Sequence, residues 1–261
     1  MTTLLGISGA AGRMGLELQK ALIDFDNLVL GAALESSLCP LIGKPVNSQS
    51  ALVYVDDVLH ANASVDGWID FSSPEQSLLL ASWCAERGLA LVVGTTCLTQ
   101  EQHILLASYA KKTAIMYASN FSIGVAAMKR LCSQAQQMLG ADFDIEILDL
   151  HHKAKVDAPS GTAKALISAI NFSGQVVCDR SSSVGARNGG DIGCVSLRGG
   201  DVVGEHTMYL IGAGERIEIT HRAWNRAVFA RGALRAFTWL TAKKPGLYSI
   251  EDMFNEVPAG I

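Results

Sequence analysis

The chain has no Cys-x-x-Cys pair, no cluster of Lys and Arg, and no apolar run approaching the roughly 18 residues that suggest a membrane-spanning helix. Each absence removes a class of function. The six cysteines, at 39, 84, 97, 132, 178 and 194, lack the short ligand spacing of zinc sites and thioredoxin-like centres. No metal is expected, and the thiols are expected to be reduced and buried or partly buried. With 21 Lys and Arg against 25 Asp and Glu, the net charge of −4 offers no general grip on a phosphate backbone. No nucleic-acid partner is expected. Only 18% of residues are charged, and no polar tract is long enough to suggest disorder. No basic n-region and apolar h-region precede the first strand pattern. A cytoplasmic protein without a membrane partner is the expectation.

What the chain does have is apolar residue in quantity, 49% of 261, enough for one large domain or two modest ones. Residues 3–8, 28–34, 53–55, 68–71, 89–93 and 114–117 read as short apolar strands. Helical spacing from Leu16 to Ile23, from Ser73 onward and over 99–111 lies between them. That alternation predicts a parallel sheet with helices on both faces. The pattern changes near 122. A helix over 123–138, a strand over 143–150 and a helix over 159–171 precede Val-, Ile-, Thr- and Gly-rich runs at 176–178, 192–198, 205–211 and 215–221. These runs read as antiparallel strands of a second, α+β domain. The Ser/Gly-rich stretch 181–190 reads as a mobile surface loop, and a last helix is predicted over 228–240. The expected division is 1–122 with 232–261, and 123–231; the segment 243–261 is expected to return to the first domain.

Two stretches carry chemistry. Gly9-Ala10-Ala11-Gly12-Arg13-Met14-Gly15 joins the first strand to the first helix. Such a turn brings backbone amides against a pyrophosphate, and the helix N-terminus adds its unsatisfied N–H groups and positive dipole end. The spacing is Gly-x-x-Gly-x-x-Gly, although Gly12 and Gly15 can fill the last two places of the usual Gly-x-Gly-x-x-Gly. Glu35 ends the second strand, where a carboxylate can accept both ribose hydroxyls of an adenosine. Gly94-Thr95-Thr96 and Ser119-Asn120-Phe121 end later strands on the same edge, where ligands of open α/β sheets bind; each is equally readable as an ordinary loop.

The second stretch is His151-His152-Lys153-Ala154-Lys155-Val156-Asp157-Ala158-Pro159-Ser160-Gly161-Thr162. Its cations lead into a helix start, where Asp157 or Ser160 can cap and Pro159 suits the first turn. With the amides around Gly161 and Thr162, His152 and Lys155 would make a pocket for a carboxylate-bearing substrate. A solvated basic turn is an equally ordinary reading of spacing alone. Adjacent histidines on a strand point to opposite faces and chelate one metal poorly.

At these residues the chain resembles the dihydrodipicolinate reductase family. The run His-His-x-x-Lys-x-Asp-Ala-Pro-Ser-Gly-Thr-Ala is long and specific. The likeness extends to Gly9–Gly15, Ala32–Glu35, Ile69–Phe71, Gly94–Thr96, Asn120–Ser122, Arg198–His206 and Glu215–His221. The resemblance implies an N-terminal Rossmann dinucleotide-binding domain and a C-terminal α+β substrate and oligomerisation domain, usually assembled as a homotetramer. It implies NADH or NADPH as cofactor, held by Gly9, Ala10, Ala11, Gly12, Arg13, Met14, Glu35, Gly94, Thr95, Thr96, Ala118, Ser119, Asn120 and Phe121. His151 falls on the acid/base histidine and Lys155 on the proton-donating lysine, with His152, Gly161 and Thr162 on the substrate carboxylates. Hydride would pass to C4 of a dihydrodipicolinate-type ring, with water lost from its 4-hydroxy precursor. The electron-rich enamine so formed needs a proton donor. Catalysis is then expected to need the two domains to close together.

One departure bears on the cofactor. Many family members carry Arg after the ribose-binding acid, facing the 2′-phosphate of NADPH, and here Ser36 stands there. Two rival readings remain at this level. Another two-domain nicotinamide oxidoreductase, such as an aspartate dehydrogenase, accounts for the first half but not for His151–Thr162. A non-catalytic NADH-sensing protein would want a DNA-binding element, and no helix-turn-helix pattern offers one.

Overall fold

Thr3–Ser8 forms a strand, β1, with its last four residues buried, as an unbroken apolar run in the middle of a parallel sheet requires. The computed structural model describes residues 2–48, 51–61, 65–180 and 185–255. The chain divides into two units, Met1–Ser122 with Ala227–Ile261, and Ile123–Arg226.

In the first unit, β1 is followed by α1 (Arg13–Ala21), β2 (Leu28–Leu34), β3 (Tyr54–Val55), β4 (Gly67–Asp70), α2 (Pro74–Arg87), β5 (Ala90–Val93), α3 (Gln100–Tyr109) and β6 (Ala114–Tyr117). Local chemistry sets the helix ends. Ser73 caps α2 by accepting from Gln76 N, Pro74 opens it, and Gly88 at φ +67° closes it. Thr99 and Gln102 form a reciprocal capping box on α3. Trp68, Leu80, Leu91, Leu106 and Ile115 are almost fully buried in one apolar cluster; each such side chain contributes about 1.5–3 kcal/mol.

The second unit contains α4 (Ile123–Leu139), β7 (Asp144–His151), α5 (Gly161–Ser168), β8 (Val176–Val177), β9 (Ile192–Arg198), β10 (Gly204–Ile211) and β11 (Arg216–Ala223). Its sheet runs β11-β10-β7-β9-β8 and is mixed, not antiparallel throughout as the sequence suggested. β10 pairs antiparallel with β7 and β11, whereas β9 pairs parallel with β7 and β8. A long crossover carrying α5 separates β7 from β9, and such connections suit parallel neighbours; β10 and β11 are joined by a tight hairpin. Met128, Cys132, Ala163 and Leu166 of the helices pack on Ile145, Ile147, Ile192, Cys194, Met208 and Leu210 of the sheet. Of the expected loop 181–190, residues 181–184 lie outside the described residues. Arg187 ties down its other end through ion pairs of 2.9 Å to Asp144 and 2.7 Å to Glu146.

The chain then re-enters the first unit with α6 (Ala227–Leu240), β12 (Gly246–Tyr248) and the short α7 (Asp252–Asn255). Return begins at Ala227, ahead of the expected 232, because the buried face of α6 is continuous from Ala230 through Gly232, Ala233, Phe237 and Leu240. β12 pairs with β6 and completes an all-parallel sheet ordered β12-β6-β5-β4-β1-β2-β3. All six cysteines are free, and burial pushes the Cys132 and Cys194 thiols up to about 12.

Candidate active site

Strand order in the first unit reverses between β1 and β4, and the crevice outside the carboxyl ends at such a reversal is where open α/β sheets bind ligands. The glycine loop lies there. Gly9 has φ +73°, and a Cβ on it would come 2.3 Å from the Phe71 carbonyl oxygen. A Cβ at Gly15 would come 2.3 Å from Gly9 O and 2.4 Å from Ala10 O, against backbone that cannot yield. Gly12 is less constrained, at 3.1 Å from Gly9 O. It precedes α1 without a side-chain cap, and the first turn of α1 holds no acidic residue. That leaves the positive end of the helix to a ligand anion. Ala10 is buried, with its N–H on Leu34 O, while Arg13 is exposed and Met14 partly buried. Glu35, at the end of β2, accepts from Ala11 N at 2.8 Å and from Ser36 N at 3.0 Å. The cradle that a Cβ would fill, and a carboxylate fixed beside it, suit a dinucleotide.

The other expected segments stand along the same edge. Gly94 is closed to any side chain by the Phe71 ring, 2.2 Å from its would-be Cβ. Thr95 is buried and donates to Asp70 at 2.7 Å, while Thr96 is exposed. Ala118 N donates to Val93 O, Ser119 is exposed, and Asn120 accepts from Ser122 N at 2.8 Å. Phe121 is buried with its ring edge-on to Phe71, centroids 5.9 Å apart. Sequence reading gave Asp70 no role. The structure puts its carboxylate, fully buried, among the hydroxyls of Ser72, Ser77 and Thr95, where it anchors the turn after β5 to the start of α2. A carboxylate ending an otherwise apolar strand was the available signal, since a buried charge demands partners.

In the second unit, the inward face of the sheet turns from apolar to polar along β7. Ile145 and Ile147 belong to the core; Asp149 and His151 continue the same face and are buried too. Register places Ser196 and His206 opposite Asp149, and Arg198 opposite His151. His151 Nδ1 lies 2.9 Å and His206 Nε2 3.2 Å from Asp149 Oδ1. Ser160 N, Ser196 Oγ and Arg198 Nη2 donate to Oδ2 at 3.0, 3.0 and 3.2 Å. Burial alone would raise the Asp149 carboxyl, but donors from His151, His206 and Ser160 outweigh it and hold the group far below the usual carboxylate range. Asp149, His151 and His206 stand close enough together to ligate a cation. The Arg198 guanidinium on the same carboxylate already supplies the counter-charge, so no metal is assigned there.

The loop beyond β7 carries the remaining candidates. His152 is partly buried, and Lys155 Nζ lies 2.8 Å from Asp157, whose carboxyl this contact holds low. Ser160, not Asp157, caps α5, accepting from Ala163 N at 3.1 Å; Pro159 precedes the cap instead of opening the helix. Gly161 and Thr162 are the first residues of α5, at the positive end of its dipole. The loop is tied back by Arg198 Nη2 to Asp157 O at 2.7 Å and by Lys153 N to Gly200 O at 3.2 Å. His151, His152, Lys155, Gly161 and Thr162 are thus gathered by one loop at one end of the second sheet. Asp149, Arg198 and His206 are the residues of this cluster that sequence reading left without a role. A carboxylate two residues before His151, in phase with Ile145 and Ile147, was the signal for the first of them.

Comparison with known proteins bears on both units. The family model "Dihydrodipicolinate reductase, N-terminus" matches residues 3–121, and "Dihydrodipicolinate reductase, C-terminus" matches residues 124–254. The 4-hydroxy-tetrahydrodipicolinate reductase of Rhodopseudomonas palustris (strain TIE-1) is 40% identical over 260 residues, covering 95% of this chain and 96% of the relative. That of Syntrophotalea carbinolica is 40% identical over 262 residues, covering 96% and 98%. Among solved structures, the dipicolinate-bound dihydrodipicolinate reductase of Paenisporosarcina sp. TG-14 superposes with a TM-score of 0.77. At 24% identity over 97% of this chain and 100% of the other, that match supports the fold. Matched in both halves, and at this identity over nearly its whole length, the chain belongs to the dihydrodipicolinate reductase family.

Proposed function

We propose that the protein reduces 4-hydroxy-tetrahydrodipicolinate to tetrahydrodipicolinate with NADH or NADPH, in lysine and diaminopimelate biosynthesis. The observation that carries this reading is the polar end of the second sheet, where His151, His152 and Lys155 share a loop with the start of α5. His152, Gly161 and Thr162 hold the substrate carboxylates, using imidazole donors and the helix dipole. Lys155 attracts the dianion and delivers a proton to the carbon beside the reduced position, and His151 serves as acid/base partner. In the first unit, Gly9–Met14 and α1 hold the pyrophosphate and Glu35 the adenosine ribose. Gly94–Thr96 and Ala118–Phe121 line the nicotinamide side. The nicotinamide, when bound, supplies the hydride.

A coupled assay tests the reading. Dihydrodipicolinate synthase generates substrate in place from pyruvate and aspartate semialdehyde, and loss of NADH and NADPH absorbance is followed in parallel. Rapid oxidation is expected. Tight NADH binding without oxidation would favour the NADH-sensing alternative. The ratio of the two kcat/KM values reads Ser36, which follows Glu35 and is exposed. A serine lacks the guanidinium that would grip a 2′-phosphate bidentately, leaving Arg13 of the glycine loop without a second basic partner there. NADH is expected to serve at least as well as NADPH, and a strong NADPH preference would contradict this.

A homotetramer joined through the second sheet completes the proposal. Val195 and Leu197, 44% and 46% exposed, alternate with Cys194 and Ser196 and face away from the helices. The mass by light scattering is expected to be four times that of the chain, and a monomer would argue against this assembly.

A further inference from the structure

We propose that Asp149 is the positioning residue of this reaction, its buried carboxylate orienting the His151 ring and binding the start of α5 to the end of β7. The inference rests on the roles given above to His151 and Lys155. Asp149 is completely buried, and the groups around it come from its own strand, from both neighbouring strands and from the α5 cap. His151 turns Nδ1 toward Asp149 Oδ1, 2.9 Å away, so the opposite ring nitrogen, Nε2, is the one left to act. Nε2 faces Gly204, where a Cβ would come within 3.0 Å, so the missing side chain keeps that nitrogen open. His206 rests on the same carboxylate oxygen, and its ring stands edge-on to His151 with centroids 5.2 Å apart, walling the imidazole in.

The second half of the linkage runs to the loop. Ser160 donates its backbone N–H to Asp149 Oδ2 while its hydroxyl caps Ala163 N, and Oγ lies 3.2 Å from His206 Nε2. Arg198 reaches both the Asp149 carboxylate and its backbone oxygen, and its Nη2 also donates to Asp157 O, next but one to Lys155. One carboxylate therefore sets the acid/base ring, the helix start proposed for the substrate carboxylates and, through Arg198, the lysine loop. Oδ2 takes three donors and Oδ1 faces both imidazoles, so a carboxylate suits both positions. An amide would turn an N–H₂ group toward the partners at one of them.

The experiment compares Asp149→Asn and Asp149→Glu with the wild-type enzyme, beside His151→Ala and Lys155→Ala. A carboxylate that fixes a histidine's tautomer and direction is worth orders of magnitude in kcat. Asp149→Asn is expected to lose about 100-fold in kcat with KM changed less than about fivefold, and NADH affinity should be retained. Asp149→Glu keeps the charge but displaces it by a methylene, so a loss of about tenfold is expected. Ring ¹⁵N–¹H spectra of the free enzyme supply a readout independent of turnover. His151 should be protonated at Nδ1 in the wild type, and that signature should be lost in Asp149→Asn. Wild-type kcat and an unchanged tautomer in Asp149→Asn overturn the proposal. So does wild-type kcat in Asp149→Glu, which remains decisive if the Asn variant does not fold. Full activity in both His151→Ala and Lys155→Ala would sink the functional assignment itself. Their loss beside an active Asp149→Asn would sink this inference alone.

Discussion

Lys155→Ala is expected to lower kcat by about a thousandfold or more while leaving the dissociation constant for NADH within about twofold of wild type. A positioned proton donor contributes about 10²–10⁴ in rate, and loss of the ammonium also removes attraction for a dianionic substrate. The side chain is largely shielded and held 2.8 Å from Asp157, so its amine is already fixed in direction before substrate arrives. Every residue proposed to hold the dinucleotide belongs to the other unit, which is why coenzyme affinity should be spared. Lys155→Arg is expected not to restore turnover, because a guanidinium does not release its proton in proteins. Steady-state kinetics and fluorescence titration with NADH separate the two effects. Equal loss of turnover and NADH affinity in a folded variant would end this division of labour.

Gly15→Ala is the second large effect, and it acts on the opposite half of the chemistry. The added methyl would meet Gly9 O at 2.3 Å and Ala10 O at 2.4 Å. Both are backbone atoms, so the glycine loop or α1 must shift to admit it. Overpacking of this kind costs about 1–3 kcal/mol, occasionally more. The atoms displaced are those proposed to cradle the pyrophosphate, so the dissociation constant for NADH is expected to rise at least about tenfold, with a melting temperature lower by several degrees. Gly12→Ala, whose methyl would stand 3.1 Å from one carbonyl oxygen, should be milder in stability. An unchanged NADH affinity in Gly15→Ala would show that this loop is not the pyrophosphate cradle.

Much of this was legible in the residues themselves. The apolar runs over 3–8 and 28–34 became β1 and β2 with those bounds, because a strand buried on both faces carries its signal in every residue. Strands as short as Gly246–Tyr248 have no period to detect, and β12 was not foreseen. The return to the first unit was placed too late because the buried residues of α6 are mainly alanine and glycine, whose apolar character is weak until something packs on them. Antiparallel order was inferred for the second sheet from composition, which cannot distinguish a hairpin from a crossover.

The candidate site divides along the same line. The glycine turn and Glu35 of the first unit, and His151 through Thr162 of the second, were readable from the residues alone, because each is a contiguous run or lies at a readable distance from one. What surrounds them follows from the fold. Asp149 meets Ser160 across 11 residues, Ser196 across 47 and Arg198 across 49, and His206 joins from β10. Those partners are set by the register of three strands, and register is fixed by side-chain packing over the whole sheet, not by any local run. A lone carboxylate in phase with two isoleucines announces that it needs partners; which ones it finds is a property of the fold.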